Sequence, residues 1–429
     1  MEFVMKQYLV SKITQLVRSI LKWVDYRITG GDSGMTDEEA IAAPYEHYAR
    51  IRARASIVRT HRNRGWMLLD FDDVQSLLLD HRFSADLRKN PFLSKMIRMA
   101  ADGRTVSFLD NPTMLNLDPP DHTRLRKLAN HGFVHKSILA LEPRIISLVD
   151  ECIDTVDVGS GKPFDVIETL AKPLPVRVIA ELLGLPKEDV SRFQQLSTDF
   201  ISITAIGNSE LMDIGTAAAE ELEAYFDQVI THKRQHPGDD LISQLLEVED
   251  QGDRLAAREL VSTCIVLLIA GHETTTHLIG NGMHLLLDHP EQMQQLRDNP
   301  ALIPNAIEEM LRIEPPVQFT VRTALEDVEF SGQKIRKNQL VMAVLASANR
   351  DPKRFPFPND FDVAREDVNH ITFGYGIHLC LGMSLARLES KVAFERLLAR
   401  FDTMSLAEQD IAFVPVPLNR GRQQLLVNI

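Results

Sequence analysis

Residues 254–287 read as one continuous helix, and the stretch that leads into its middle, VSTCIVLLIAG, is apolar almost throughout. A helix without a polar face is a buried helix, so the rest of the chain must pack around it. Directly after that approach the sequence turns polar, in AGHETTTHLIG, residues 270–280. An acid, Glu273, and a hydroxyl, Thr274, then lie in an apolar wall, where each needs a partner or a purpose. Thr274 can bond a carbonyl one turn back and bend the helix, and Gly271 weakens the same turn. A polar niche where the helix opens at Ala270–Gly271 is one expectation; a capped kink without chemistry is the other.

The two histidines raise the question of zinc. An H-E-x-x-H site puts its ligands at i and i+4 on one helix face. His272 and His277 are at i and i+5, so they point about 140° apart and do not converge on one metal ion.

Other helical windows fall at 136–156, 209–235 and 382–401. Strand-like pieces occur at GWMLLD (65–70), at 328–346 and near the C-terminus, and Ser331–Gly332 reads as the turn of a hairpin. The mixture predicts a mainly α fold with a small β portion. At 429 residues, with 44% hydrophobic and 25% charged residues, the chain can bury a large core. Its formal charge of −13 argues against a general nucleic-acid binder, because phosphate repels an acidic surface. Cys152, Cys264 and Cys380 form no C-x-x-C pair, which disfavours thiolate zinc and fits a reducing compartment.

No apolar run is long enough to span a membrane. At the N-terminus, Leu9, Val10, Ile13, Leu16, Val17, Ile20, Leu21 and Val24 keep a helical period, with Lys12, Arg18 and Lys22 on the other face. Packing or self-association, weak membrane-surface contact through residues 9–24, and an import sequence are its readings. Residues 27–39 read as a linker, so 1–36 form an N-terminal extension to one large domain.

The segment FGYGIHLCLG, 373–382, narrows the choice. Its paired glycines permit close backbone approach to something flat, and Cys380 stands just ahead of a helix whose N-terminal dipole favours a thiolate. This segment resembles the haem-binding loop of the cytochrome P450 superfamily, F-G-x-G-x-H-x-C-x-G, at Phe373, Gly374, Gly376, His378, Cys380 and Gly382. AGHETT resembles the oxygen-activation helix, with Glu273 and Thr274 as its acid–alcohol pair. EEMLR gives E-x-x-R as Glu309 and Arg312, NRDPKRFPFPNDFDVAR resembles the meander ending at Arg365, and DPPDHTRLRKL and VRTA resemble the segments carrying propionate partners. The resemblance covers about residues 37–429.

It implies a haem-thiolate monooxygenase that inserts one oxygen atom from O2 into a lipophilic small molecule by hydroxylation, epoxidation or O-dealkylation. The cofactor is haem b, iron protoporphyrin IX, with Cys380 as axial ligand and Phe373 shielding the sulfur. His122, Arg126, Arg322 and His378 serve the propionates; Gly374, Gly382 and Ala270 lie against the ring. Glu309, Arg312 and Arg365 form a structural network. Val266, Ile269, Ala270, Val317, Gln318 and Phe319 line the substrate pocket, Gln318 offering one orienting hydrogen bond, under a roof from the 85–115 loop and the helices near 190–215.

Electrons come from a ferredoxin with its NAD(P)H-dependent reductase, for which Arg124 and Lys127 are docking candidates. The expected location is cytoplasmic, with a peripheral membrane position as the variant. A peroxide-driven peroxygenase is the rival within this chemistry, and the acid–alcohol pair argues against it. A non-enzymatic haem sensor or carrier is the rival outside it, and no output domain is visible.

Overall fold

The computed structural model describes residues 43–60, 65–100, 113–202, 209–250 and 257–429. The N-terminal extension, its linker and the 37–42 boundary lie outside the described residues.

The elements run α1 (Pro44–Arg52), β1 (Ile57–Thr60), β2 (Gly65–Leu68), α2 (Phe71–Leu79), β3 (Phe83–Ser84), α3 (Pro91–Ala100), α4 (Asp121–Ala129), α5 (His135–Leu139), α6 (Glu142–Ile153) and β4 (Phe164–Asp165). A π-turn at Ile167–Ala171 leads to α7 (Pro173–Leu183), α8 (Val190–Ile201), α9 (Ser209–Gln235), α10 (Leu241–Asp250) and α11 (Ala257–Asp288). After these come α12 (Pro290–Asp298), α13 (Ile303–Ile313), β5 (Thr320–Ala324), β6 (Val328–Phe330), β7 (Gln333–Ile335), β8 (Leu340–Ala343), α14 (Leu345–Ala348), α15 (Met383–Arg400), β9 (Ser405–Leu406) and β10 (Leu426–Asn428).

The mainly α expectation holds, and the β portion is small. One sheet has the order β1-β2-β8-β5-β3, with β8 parallel to β2 and antiparallel to β5. β6 and β7 pair as the expected hairpin, and Ser331 (φ 44°) and Gly332 (φ 75°) form its turn. Both turn residues with positive φ match the twist of the flanking strands. The rest of the 328–346 run departs from expectation. β8 leaves the hairpin for the larger sheet, and Leu345–Ala348 winds into a helical turn against α2.

The long helix α11 organises the molecule. Its first half, Leu260–Ile269, packs into an apolar cluster with α7, α8, α9 and α10. Its last turns, Leu278–Leu287, pack into a second cluster with α6, α13 and α15. Residues 270–277 belong to neither cluster. The polar stretch of the sequence therefore sits on the seam between two cores. Part of the expected 85–115 roof loop is the helix α3, and residues 101–112 lie outside the described residues.

Candidate active site

The middle of α11 stays helical through residues 257–288, so the expected opening does not occur. The niche comes instead from side chains. Val266, Gly271, Glu273 and Thr274 are half-covered and Ala270 is exposed, while most of their neighbours on the helix are buried. Val266, Ala270 and Thr274 are spaced one turn apart, so they form a single stripe. Gly271 is not part of it: a Cβ there would meet Ile179 of α7 at 3.0 Å, so this glycine serves helix packing. The Thr274 hydroxyl donates to the Ala270 carbonyl at 3.1 Å.

Glu273 does not reach Thr274. Adjacent helix residues point about 100° apart, and the carboxylate turns to other groups. Its Oε1 accepts from the Thr198 hydroxyl of α8 at 3.1 Å and lies 3.6 Å from His272 Nε2. Its Oε2 lies 3.8 Å from His277 Nε2. Burial pushes the Glu273 carboxyl up, but His272, His277 and the Thr198 hydroxyl together bring it down to about 2. His272 also bonds the Leu268 carbonyl through Nδ1 at 2.8 Å. Sequence reasoning missed Thr198, which is far from Glu273 in the chain.

The cysteine loop is shaped by its glycines. Gly374 (φ 75°) and Gly376 (φ 71°) occupy the left-handed region, and a Cβ on Gly376 would sit 2.9 Å from the Leu78 carbonyl oxygen. The Cys380 N–H donates to the Phe373 carbonyl at 2.9 Å. Phe373 lies under the Arg387 guanidinium, 4.7 Å from its ring centre, and packs on the second core. Leu381 packs on the first, so this loop and the middle of α11 border the same seam.

Arg387 makes a bidentate pair with Glu308, both contacts at 2.7 Å, and His370 lies 3.3 Å from the same carboxylate. Burial works to raise Glu308, but Arg387 and His370 pull it down to about 2. Sequence reasoning missed this support behind the loop. Arg387 follows the loop by a turn of helix, but its acid is read only in three dimensions.

Cys380 is exposed, yet the protein atoms crowded around its sulfur push the thiol up, against the Gly382 N–H, Arg126 and Arg387, which act to lower it. The dipole argument from sequence is therefore right in sign and too small in size. A coordinating metal ion, which deprotonates a thiol outright, is what would make this sulfur a thiolate.

Four basic side chains gather beside the loop. The His122 and His378 rings are 4.4 Å apart. Both ring nitrogens of buried His122 lack a hydrogen-bond partner. Arg322 is buried and bonds only neutral groups, Thr320 Oγ1 at 3.0 Å and the Val321 carbonyl at 2.8 Å. Among the described residues, no carboxylate forms an ion pair with His122, Arg126, Arg322 or His378. Asp118, whose charge acts on His122, Arg322 and His378, is already held by Lys89 at 2.7 Å, the Ala85 N–H at 3.1 Å and the Ser84 hydroxyl.

Burial, then Arg322 and His122, push His378 down to about 3, and burial brings Arg322 down to about 10. Burial and then Arg126 also lower His122. Buried cations and imidazoles without an acid are costly unless an anion joins them. A haem, with two propionates, fits this donor set. Gly382 agrees: its φ of −85° is ordinary and a Cβ there would meet no protein atom within 4 Å, so the protein itself does not demand glycine.

Glu309, Arg312 and Arg365 come together. Arg312 is wholly buried and binds Glu309 at 2.6 and 2.7 Å, and Arg365 binds the same carboxylate at 3.0 Å. Arg312 also donates to the carbonyls of Asn349, Pro358 and Asp360, which pins the meander onto α13. Of the other expected pocket residues, Ile269 is buried and Val317 and Phe319 are half-buried. The Gln318 amide nitrogen donates to the Pro315 carbonyl at 2.7 Å, which ties that end of the side chain to the main chain. Arg124 is likewise committed, in a bidentate pair with Glu259 at 2.5 and 3.2 Å.

A cysteine loop facing the middle of a long helix, beside a basic cluster that no carboxylate pairs with among the described residues, is the arrangement of a haem-thiolate protein, and the comparisons agree. The family model described as Cytochrome P450 matches residues 84–415. Cytochrome P450 CYP107DY1 of Priestia megaterium is 42% identical over 80% of this chain and 84% of its own length. The cytochrome P450 monooxygenase PikC of Streptomyces venezuelae is 37% identical over 92% of this chain and 93% of its own. Among solved structures, the myxobacterial cytochrome P450 CYP267B1 in complex with myristic acid superposes with a TM-score of 0.85 at 39% identity, covering 92% of this chain and 98% of that one. P450BioI, in complex with an acyl carrier protein carrying hexadec-9Z-enoic acid, gives 0.83 at 36%, covering 91% and 100%. The chain belongs to the cytochrome P450 family. It is a haem-dependent monooxygenase, an oxidoreductase that uses O2, an organic substrate and a redox partner. Among the described residues no helix is long and apolar enough to cross a membrane.

Proposed function

We propose that Cys380 is the axial thiolate and that His122, Arg126, Arg322 and His378 hold the haem propionates, in a single catalytic domain spanning 37–429. The observation that carries this reading is the convergence of those four basic groups, none of them ion-paired with a carboxylate among the described residues, beside the loop of Cys380. A thiolate-ligated haem favours O–O bond cleavage, which is the chemistry the group supplies when bound. The protein's part is to bind, orient and protonate. Thr274 presents a hydroxyl on the exposed stripe of α11, anchored to the Ala270 carbonyl. Glu273, one residue away, is the acid through which protons reach that stripe. Glu309, Arg312 and Arg365 support the loop from behind.

The substrate in this reading is a lipophilic small molecule. Val266, Ile269, Ala270, Val317 and Phe319 offer an apolar lining, and two structural relatives carry fatty-acyl ligands. A ferredoxin and its NAD(P)H-dependent reductase deliver the electrons, and the cytoplasm is the compartment. A peroxide-only reaction would leave the acid beside Thr274 without a task.

The test is spectroscopic. The haem-loaded protein should give the reduced, carbon monoxide-bound band of a thiolate haem, and Cys380→Ser should abolish it. A panel of fatty acids, steroids and terpenoids should produce a saturable high-spin shift of the Soret band with one class. A native protein loaded with haem but lacking the thiolate band would overturn the assignment of Cys380.

A further inference from the structure

His277 is a buried imidazole that neither the fold nor the assigned roles use. One turn beyond Glu273, it holds its Nε2 3.8 Å from the Glu273 Oε2. Its Nδ1 is buried and has no hydrogen-bond partner. The ring is fixed from the far side by the C-terminal segment, since a Cβ on Gly421 would lie 1.9 Å from Nδ1. Glycine at 421 makes room for this ring, and the backbone there closes its Nδ1 side. His272 faces the other carboxylate oxygen, and the Thr198 hydroxyl of α8 donates to that same oxygen. That hydroxyl has one proton and two acceptors within reach, Glu273 and the Gln194 carbonyl of its own helix at 3.2 Å. The carboxylate is therefore held between α8 and two imidazoles, turned away from Thr274.

We propose that His277 is a positioning residue for the oxygenase reaction, a proton-dependent clamp that holds the Glu273 carboxylate on the Thr198 side and releases it toward Thr274 when the imidazole is neutral. The inference rests on the reading of Glu273 as the acid that serves Thr274.

The charged groups around His277 agree with such a switch. Glu273 and His272 face it from α11, and Lys172 from the end of the π-turn, where it is paired with Glu168. From the C-terminal segment it meets the Gly421 backbone, whose neighbours Arg420 and Arg422 bond Glu314 and Asn281. Burial lowers the His277 pKa below the ordinary histidine range against the pull of Glu273, with His272 and Lys172 adding to the lowering. The group is neutral at neutral pH and gains its charge on acidification. The cationic ring then attracts the ionised carboxylate more strongly, and the clamp tightens. No covalent step is involved: the ring takes its proton from solvent and returns it there.

The test uses the haem-loaded full chain, a surrogate ferredoxin and reductase, and myristate as the probe. Hydrogen peroxide released per NADPH consumed is read from about pH 5.5 to about pH 8. In the native protein this leak should rise about threefold toward the acid end, as Glu273 is held away from Thr274 and proton delivery falls behind. His277→Asn should flatten the profile by lowering the acid-side leak, with little change at the alkaline end. His277→Gln, which keeps more of the ring's volume, should do the same, and the reduced carbon monoxide band certifies that each variant is folded. Glu273→Gln must remove the effect of His277→Asn, because the clamp then has nothing to hold. An unchanged profile in both His277 variants, or the same change with and without Glu273→Gln, overturns the clamp. If Glu273→Gln alone leaves the leak and the turnover as in the native protein, the reading of Glu273 fails instead.

Discussion

Arg322 is a guanidinium buried without a counter-ion, and that fact makes a prediction with opposite signs in two states. In the chain alone its partners are a hydroxyl and a carbonyl, and burial has already brought its pKa down to about 10. Once a propionate is present the same charge becomes half of a charge-assisted pair. Arg322→Leu should therefore stabilise the haem-free protein by about 1–2 kcal/mol, because it removes an uncompensated charge. It should also speed haem loss about tenfold or more. Thermal unfolding of the haem-free form and transfer of haem to an excess acceptor protein measure the two effects. Equal destabilisation of both forms would mean that Arg322 serves packing alone. Such residues were legible in the sequence as positions in a motif. Their lack of an acid was not, because absence of a partner is a property of the folded surroundings.

At the scale of elements, α13 and the meander depend on one buried side chain. Arg312 closes the Glu309 carboxylate and donates to three main-chain carbonyls of residues 349–360. Arg312→Ala leaves Glu309 buried with Arg365 alone and should cost about 3–5 kcal/mol, read by chemical denaturation. Arg365→Ala should cost clearly less, since Arg365 is partly exposed and its loss leaves the Arg312–Glu309 pair intact. Elements of this kind were legible where the sequence carries a long period or a turn. The windows at 209–235 and 382–401 are α9 and α15 almost to the residue. What failed depends on contacts distant in sequence. The sequence places β8 in the hairpin, because alternation does not say which neighbour a strand takes. The end of the 328–346 run, Leu345–Ala346, begins a helical turn instead, because a short apolar run fits either state. Thr198 beside Glu273 and Arg387 on Glu308 are 75 and 79 residues apart, so no local pattern could join them.

At the scale of the whole molecule, the two largest apolar clusters meet along α11, and stability carries a pH term from a buried acid that no cation opposes. Glu389 lies on the inner face of α15, which packs on α6 and on α11. It is almost fully buried, and its Oε2 has no hydrogen-bond partner, nor has the hydroxyl of adjacent Ser390. With burial as the cause and no cation to oppose it, its carboxyl is raised well above the usual 4.5. The native state therefore keeps a proton that the unfolded chain gives up. Stability from this group is complete below the unfolded pKa and declines as pH rises toward the folded one. The decline is about 1.4 kcal/mol per pH unit in that window. Glu389→Gln has nearly the same shape and nothing to titrate. Its midpoint of thermal unfolding should match the native protein near pH ~4.5 and exceed it by a growing margin as pH rises. Parallel pH profiles for the two proteins would show that a cation or water chain not evident from these contacts keeps Glu389 ionised. Profiles that converge toward acid would show that the packing of α15 on α6 and α11 is least costly to form in acid.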